Sequence, residues 1–344
     1  MKEFEIAGRK IGNKFPPLVI AEVGINHEGD YNKAIQLVDA ALASGAECIK
    51  FQSHITEEEM IPTDIKPGDI SDDRLWDIIK RCELTEEEET EIKKYCEKKG
   101  IIYLSTPFSR EASDRLEKMG VSAFKIGSGE CNNLPLIDHI AKKGKPMILS
   151  TGMNDFPSIS KSVAVIKKYN VPFMLMHCVS MYPTSYDKVR LKSILQLQDK
   201  FDALVGLSDH SLGIYTCFGA VSLGAVALEK HFTISRSWVG PDNPFSIEPH
   251  ELKELIVGSK AIWQSLEGTK EIQEIEKPVI SFAYASVVTI KSIEKGEVFS
   301  LENIWVKRPG TGEFIGGDLY KILGKKAKTY IPKNVQIKSE NVEW

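Results

Sequence analysis

Short apolar runs alternate with longer amphipathic ones along the first 265 or so residues, and that rhythm restricts the fold more than any other feature. The runs at 18–24, 47–53, 101–105, 123–127, 147–151, 173–178, 204–208 and 226–231 have the length and composition of buried strands. Between them, residues 31–43, 86–99, 110–119, 158–169 and 215–223 carry helical periodicity. Strand–helix alternation is the signature of parallel βα units. Eight such strands in about 250 residues predict an α/β chain folded as a closed (β/α)8, or TIM, barrel. An open doubly wound sheet is the alternative, and the absence of a glycine-rich fingerprint after the first strand counts against it.

The barrel is expected over residues 1–266, a charged linker over 267–279 and a small β-rich domain over 280–344. Residues 281–290 read as the first strand of that last domain. One long polar insertion, 56–85, interrupts the alternation after the second strand; it holds Pro62, Pro67, Gly68 and several aspartates and is expected to be a lid. The formal charge of -4 over 344 residues gives no reason to expect a nucleic acid or a membrane as partner. No apolar run approaches the roughly 20 residues that span a bilayer, and the N-terminus lacks a signal-peptide core. The six cysteines are scattered without C-x-x-C spacing, so reduced thiols and a cytoplasmic setting are expected.

Sites on such barrels lie at the C-terminal ends of the strands. Polar residues gather there at nearly every strand: Glu22, Lys50 and Gln52, Ser105 and Thr106, Lys125, Ser128 and Glu130, Ser150 and Thr151, His177 followed by Ser180 and Tyr182, Ser208 and His210, Glu229 and His231. Lys50 and Lys125 interrupt runs that should be apolar, which is costly unless each is paired or faces an anion. Two lysines ringed by hydroxyls could hold a phosphate and a carboxylate; alternatively each could pair with Glu22 or Glu229. His210 and His231 end adjacent strands and could share a divalent ion, or each could simply be hydrogen-bonded. His177 reads as core, and His27 as a loop cap equally well as a ligand. Tyr182, Phe108 and Trp238 could line a sugar pocket.

In order along the chain, Glu22-Val23-Gly24-Ile25-Asn26-His27, Ser105-Thr106-Pro107-Phe108, Lys125-Ile126-Gly127-Ser128-Gly129-Glu130, Ser150-Thr151-Gly152-Met153, Leu207-Ser208-Asp209-His210, Glu229-Lys230-His231-Phe232, Gly240-Pro241-Asp242, Phe282-Ala283-Tyr284 and Lys307-Arg308-Pro309-Gly310 resemble the sialic acid synthase family. The resemblance implies a phosphoenolpyruvate-binding barrel followed by an antifreeze-like (SAF) domain in a domain-swapped homodimer. It implies that His210 and His231 hold a catalytic ion, Mn2+ first, with Mg2+ or Co2+ as alternatives. Lys50, Thr106, Lys125, Ser128, Ser150 and Ser208 resemble the phosphoenolpyruvate shell, and Gln52, Ser180, Tyr182 and Asp242 the sugar contacts. Phe282 and Arg308 resemble the residues that reach into a partner subunit, and Glu22 and Glu130 the proton-handling carboxylates.

The implied reaction joins phosphoenolpyruvate to an N-acylhexosamine, with N-acetylmannosamine first and the 2,4-diacetamido sugars of legionaminate or pseudaminate behind it. Phe51 and Ser180 stand where some bacterial family members have His and Asn. Asp69 and the segment 237–245 also depart from that pattern, and all four are expected near the sugar. A 3-deoxy-octulosonate phosphate type of synthase is opposed by the C-terminal domain. A sugar-binding, polysaccharide-assembly role on an inactive barrel is opposed by the joint presence of Glu22, Lys50, Lys125, His210 and His231.

Overall fold

Every residue of Leu18–Gly24 is buried, and the seven comparable segments that follow it are almost as dry. This pattern belongs to strands covered on both faces. A computed structural model, which describes residues 3–68 and 71–344, assembles them into one parallel sheet. A short antiparallel hairpin, β1 (Glu3–Ile6) and β2 (Arg9–Gly12), precedes it. The barrel strands are β3 (Leu18–Gly24), β4 (Cys48–Ser53), β5 (Ile102–Pro107), β6 (Phe124–Ile126), β7 (Met147–Ser150), β8 (Phe173–Cys178), β9 (Leu204–Asp209) and β10 (Ala227–His231). Their order is β5-β4-β3-β10-β9-β8-β7-β6, with β5 and β6 side by side to bring the ring almost to closure. The barrel read from the sequence is therefore present.

Side chains on a strand alternate between faces, and here the alternation sorts the molecule into two apolar layers. Val19, Ala21, Val23, Ile49 and Phe51 point outward into the layer shared with the helices. Leu18, Ile20, Cys48, Leu104, Ile148 and Met174 point inward. Phe4, Ile6 and Ile11 of the hairpin join this inner layer, closing the N-terminal end of the barrel. Its strands are only four residues long, which is why the sequence pattern missed it; its turn places Ala7 and Gly8 at positive φ. At Gly206 any Cβ would stand 2.6 Å from both the Ala227 carbonyl and Met176 Sδ, so only glycine lets that methionine fill the interior.

The insertion after β4 is partly helical. It contains the helices Thr56–Glu59 and Leu75–Cys82, and Ile78 and Cys82 pack on Ile25 at the rim. Asp69, one of the substrate-determining candidates, lies outside the described residues.

Internal contacts divide the chain after Glu267. In the second unit a 3-10 turn (Glu274–Glu276) and a helix (Lys277–Ala283) occupy much of the expected linker. The strand expected over 281–290 is shorter, β11 (Ser286–Thr289), because the helix started by Pro278 runs through Ala283 first. It pairs with β12 (Ile304–Lys307), and a second small pair, β13 (Lys326–Ala327) and β14 (Val342–Glu343), completes a fold built on Val287, Ile293, Phe299, Ile304 and Ile337. All six cysteines are buried and unpaired, and among the described residues no helix is long and apolar enough to cross a membrane.

Candidate active site

On six of the barrel strands the inward set is apolar near the hairpin and becomes polar one step further along. Ile20 is followed two residues later by Glu22, Cys48 by Lys50, Leu104 by Thr106, Ala123 by Lys125, Ile148 by Ser150 and Ala227 by Glu229. The result is a polar layer inside the C-terminal half of the barrel. Lys50 Nζ lies 2.7 Å from Glu22 Oε2 and 3.7 Å from Glu229 Oε1, and donates to Thr106 Oγ1 at 3.0 Å. Lys125 Nζ donates to Ser150 Oγ at 2.7 Å and to Glu229 Oε1 at 3.3 Å. Ser208 Oγ donates to the same Glu229 oxygen at 3.1 Å. Glu229 is thus the hub of the cluster, and both lysines take the carboxylate-paired alternative.

Two acids and two bases share a site from which water is almost excluded. Burial pushes the Glu22 carboxyl up to about 7 against the pull of Lys50. Burial opposes charge on Glu229 too, but Lys125 and Lys50 together overcome it and hold that carboxyl at about 2. The same competition leaves Lys50 raised, because Glu22 and Glu229 outweigh its desolvation, and Lys125 lowered, because burial and Lys50 outweigh Glu229. Oε2 of Glu229 has no hydrogen-bond partner, so the hub is still able to accept.

His210 and His231 stand beside this layer with ring centroids 5.5 Å apart. His210 Nδ1 donates to the Val179 carbonyl at 2.9 Å, so the neutral ring carries its lone pair on Nε2; against burial, Cys178 and that carbonyl raise this imidazole. His231 Nδ1 is buried without a hydrogen-bond partner, 3.5 Å from Asp242 Oδ2. Burial, His210 and Lys50 keep His231 well below the usual imidazole range, hence neutral. Burial raises Asp242 to about 6. Two imidazole lone pairs are donors of the kind a divalent ion takes. Among the described residues no group of three His, Cys, Asp or Glu is arranged to hold one, so an ion here would take its other ligands from water and substrate.

The remaining candidates divide. The Tyr182 ring lies tilted by 42° against His210 with centroids 4.1 Å apart. Ser128, Ser180 and Cys178 converge on Gly152, whose N–H donates to Ser128 Oγ at 3.0 Å. A cavity of about 580 Å³ opens beside Cys178 and Ser180, between the loops after β7 and β8. Glu130 stands apart: its Oε2 accepts from Asn133 Nδ2 at 2.6 Å in the turn after β6. Phe282 and Arg308 belong to the second unit, where both are exposed.

Two expectations are corrected. Phe51 does not line the sugar pocket: its position on β4 turns it outward, where it stacks on Tyr103 with centroids 5.7 Å apart. Trp238 packs against the helix-side core beneath Lys33. His27 accepts from the Gly29 N–H at 3.0 Å as a turn cap, and His177 donates to the Val189 carbonyl at 2.6 Å. The sequence marks Glu229 as a possible partner of the lysines but not as the point on which both converge, and nothing in the sequence pattern marks His54.

Residues 37–271 match the model of the NeuB family and residues 284–343 that of the SAF domain. The N,N'-diacetyllegionaminic acid synthase of Campylobacter jejuni is 38% identical over 318 residues, which cover 87% of this chain and 94% of that one. The N-acetylneuraminate-9-phosphate synthase of Homo sapiens is 30% identical over 98% of this chain and 95% of its own length. The crystal structure of the N-acetylneuraminic acid synthetase of Leptospira borgpetersenii serovar Hardjo-bovis, in complex with citrate, superposes with a TM-score of 0.74. It is 35% identical and covers 81% of this chain and 95% of that one.

Proposed function

This chain belongs to the NeuB family and ends in an SAF domain, and we propose that it condenses phosphoenolpyruvate with an N-acylated amino hexose and water, giving a nonulosonic acid and phosphate. The observation that carries this reading is the polar layer itself, with two buried ammonium groups and the hydroxyls of Thr106, Ser150 and Ser208 around one space. Lys50 and Lys125 would hold the carboxylate and phosphate of phosphoenolpyruvate, with Ser128 at the edge.

Glu22, held at about 7, can be protonated when that anion enters and so avoids facing it as a like charge. Carbon 3 of phosphoenolpyruvate then bonds to the sugar aldehyde carbon, and Glu22 gives its proton to the aldehyde oxygen. Water adds at carbon 2, returning a proton to the carboxylate, and phosphate leaves as the ketone forms. Gln52, Ser180, Tyr182 and Asp242 would orient the sugar. His210 and His231 would hold Mn2+ or a related ion, which supplies Lewis-acid polarisation of the aldehyde when bound. A swapped homodimer, placing Phe282 and Arg308 of one subunit at the barrel of another, and a cytoplasmic setting complete the proposal.

N-acetylmannosamine is the first sugar on this reading. A 2,4-diacetamido hexose is favoured by one observation, the legionaminic acid specificity named for the relative at 38% identity. Release of phosphate from phosphoenolpyruvate should require both an N-acylhexosamine and a divalent ion. Activity that survives exhaustive chelation would sink the ion, and release without any sugar would sink the condensation.

A further inference from the structure

A hydrogen-bonded chain runs from the base of the insertion into the polar layer, and the reaction above leaves its outer members, His54 and Glu59, without a role. His54 Nδ1 lies 2.9 Å from Glu59 Oε2 and 3.0 Å from Oε1. Its Nε2 lies 3.0 Å from Gln52 Oε1, and Gln52 Nε2 donates in turn to Glu22 Oε1 at 3.2 Å. The imidazole is stacked on Phe108, with centroids 4.6 Å apart and planes 11° from parallel, so the ring has little freedom to rotate away. Both His54 and Glu59 are nearly excluded from solvent, with side-chain exposures of 3% and 4%.

Both ring nitrogens therefore face oxygens that only accept, one in a carboxylate and one in an amide carbonyl. A neutral imidazole has one N–H and one lone pair and can satisfy only one of them. The doubly protonated ring satisfies both. Reversing the Gln52 amide would free one nitrogen, but while Glu22 is ionised it would turn the amide oxygen against that carboxylate, lone pair to lone pair. The titratable groups that face His54 are Glu59 on the same segment, Asp242 from the loop after β10 and His27 after β3. Beyond Glu59 stands Glu130, a further acid.

We propose that His54 is a positioning residue for the condensation: as an imidazolium bridging Glu59 and Gln52, it fixes the Gln52 amide with its N–H toward Glu22. The second hydrogen on Gln52 Nε2 then remains for the sugar, and the Glu22 carboxyl is held at the reacting carbons. The catalytic half of this inference rests on the functional reading above; the charged bridge does not. The bridge also ties the insertion to the reacting groups, since Glu59 ends the helix Thr56–Glu59 that begins it.

The test uses the full chain labelled with 15N-histidine and held metal-free, with the His54 ring identified by the signals lost in His54→Gln. At pH 7 the wild type should show both His54 nitrogens protonated, and Glu59→Gln should lose one of those protons. In kinetics, Glu59→Gln should lower kcat by about 100-fold on the alkaline side and much less on the acid side. Its KM for phosphoenolpyruvate should stay within about twofold, and Glu59→Asp should recover part of the loss. A neutral His54 in the wild type at pH 7 overturns the proposal, as does a Glu59→Gln pH profile parallel to the wild type's. A wild type that makes no nonulosonate defeats the functional reading, while the ring signals still decide the bridge separately.

Discussion

Lys50, Lys125, Glu22 and Glu229 put four ionisable groups inside a barrel whose interior is otherwise filled by Ile20, Leu104, Ile148 and Met174. Such a cluster is stable only while its charges match. Glu229 is the group on which both lysines depend, so Glu229→Gln should destabilise the fold by about 3–5 kcal/mol at neutral pH. Urea unfolding measures this, and a change below about 0.5 kcal/mol would show the lysines do not need the hub. The sign with pH follows from its depressed value. Glu229 contributes stability above the ordinary 4.5, and loses it as pH falls through about 2. Residue type and strand-end position made the lysines and histidines legible in the sequence. The hub was not legible, because a buried Glu in an apolar run reads as a partner until three donors are seen converging on it.

At the scale of elements, two-residue alternation along the strands explains most of the site and the error over Phe51. Lys50 and Gln52 share one face of β4 while Phe51 takes the other, so a departure from a relative's sequence at Phe51 acts through core packing. Loops obey no such rule, and the His54–Glu59 and Ser128–Gly152–Ser180 arrangements could only be seen in three dimensions. At Gly152 an added methyl group would meet Ser128 Oγ at 2.8 Å and Cys178 Sγ at 3.1 Å, with Ser180 Oγ closer still. Gly152→Ala should raise KM for phosphoenolpyruvate by about tenfold through displacement of Ser128, corresponding to ~1.4 kcal/mol. An unchanged KM would remove Ser128 from the anion site.

The helix Glu86–Lys99 offers a second test on the outer face of the barrel. Its Glu89 accepts from Ser53 Oγ at 2.8 Å and from Arg115 Nη1 at 3.1 Å, and burial still raises its carboxyl to about 7. A raised carboxyl contributes stability below its ordinary 4.5 and loses it as pH rises through about 7. Wild-type stability should therefore fall by up to ~3 kcal/mol across that window relative to Glu89→Gln. Parallel denaturation curves at pH 5, 6, 7 and 8 would contradict this.

For the whole molecule, the proposed swap makes a prediction that neither unit makes alone. Arg308→Ala and Lys50→Ala proteins, each inactive, should regain part of their activity when mixed subunits form, because one hybrid site would carry both native residues. No recovery in verified heterodimers would count against the exchange. The central claim concerns what the barrel makes, and it is tested most directly by incubating the wild type and Mn2+ with phosphoenolpyruvate and a panel of N-acetylmannosamine and 2,4-diacetamido hexoses. Products are identified by mass spectrometry and phosphate is counted. A nonulosonic acid with the three carbons of phosphoenolpyruvate added to one panel sugar, and one phosphate per product, is the predicted result. Intact phosphoenolpyruvate with every sugar, while the protein remains folded and metal-loaded, would contradict it.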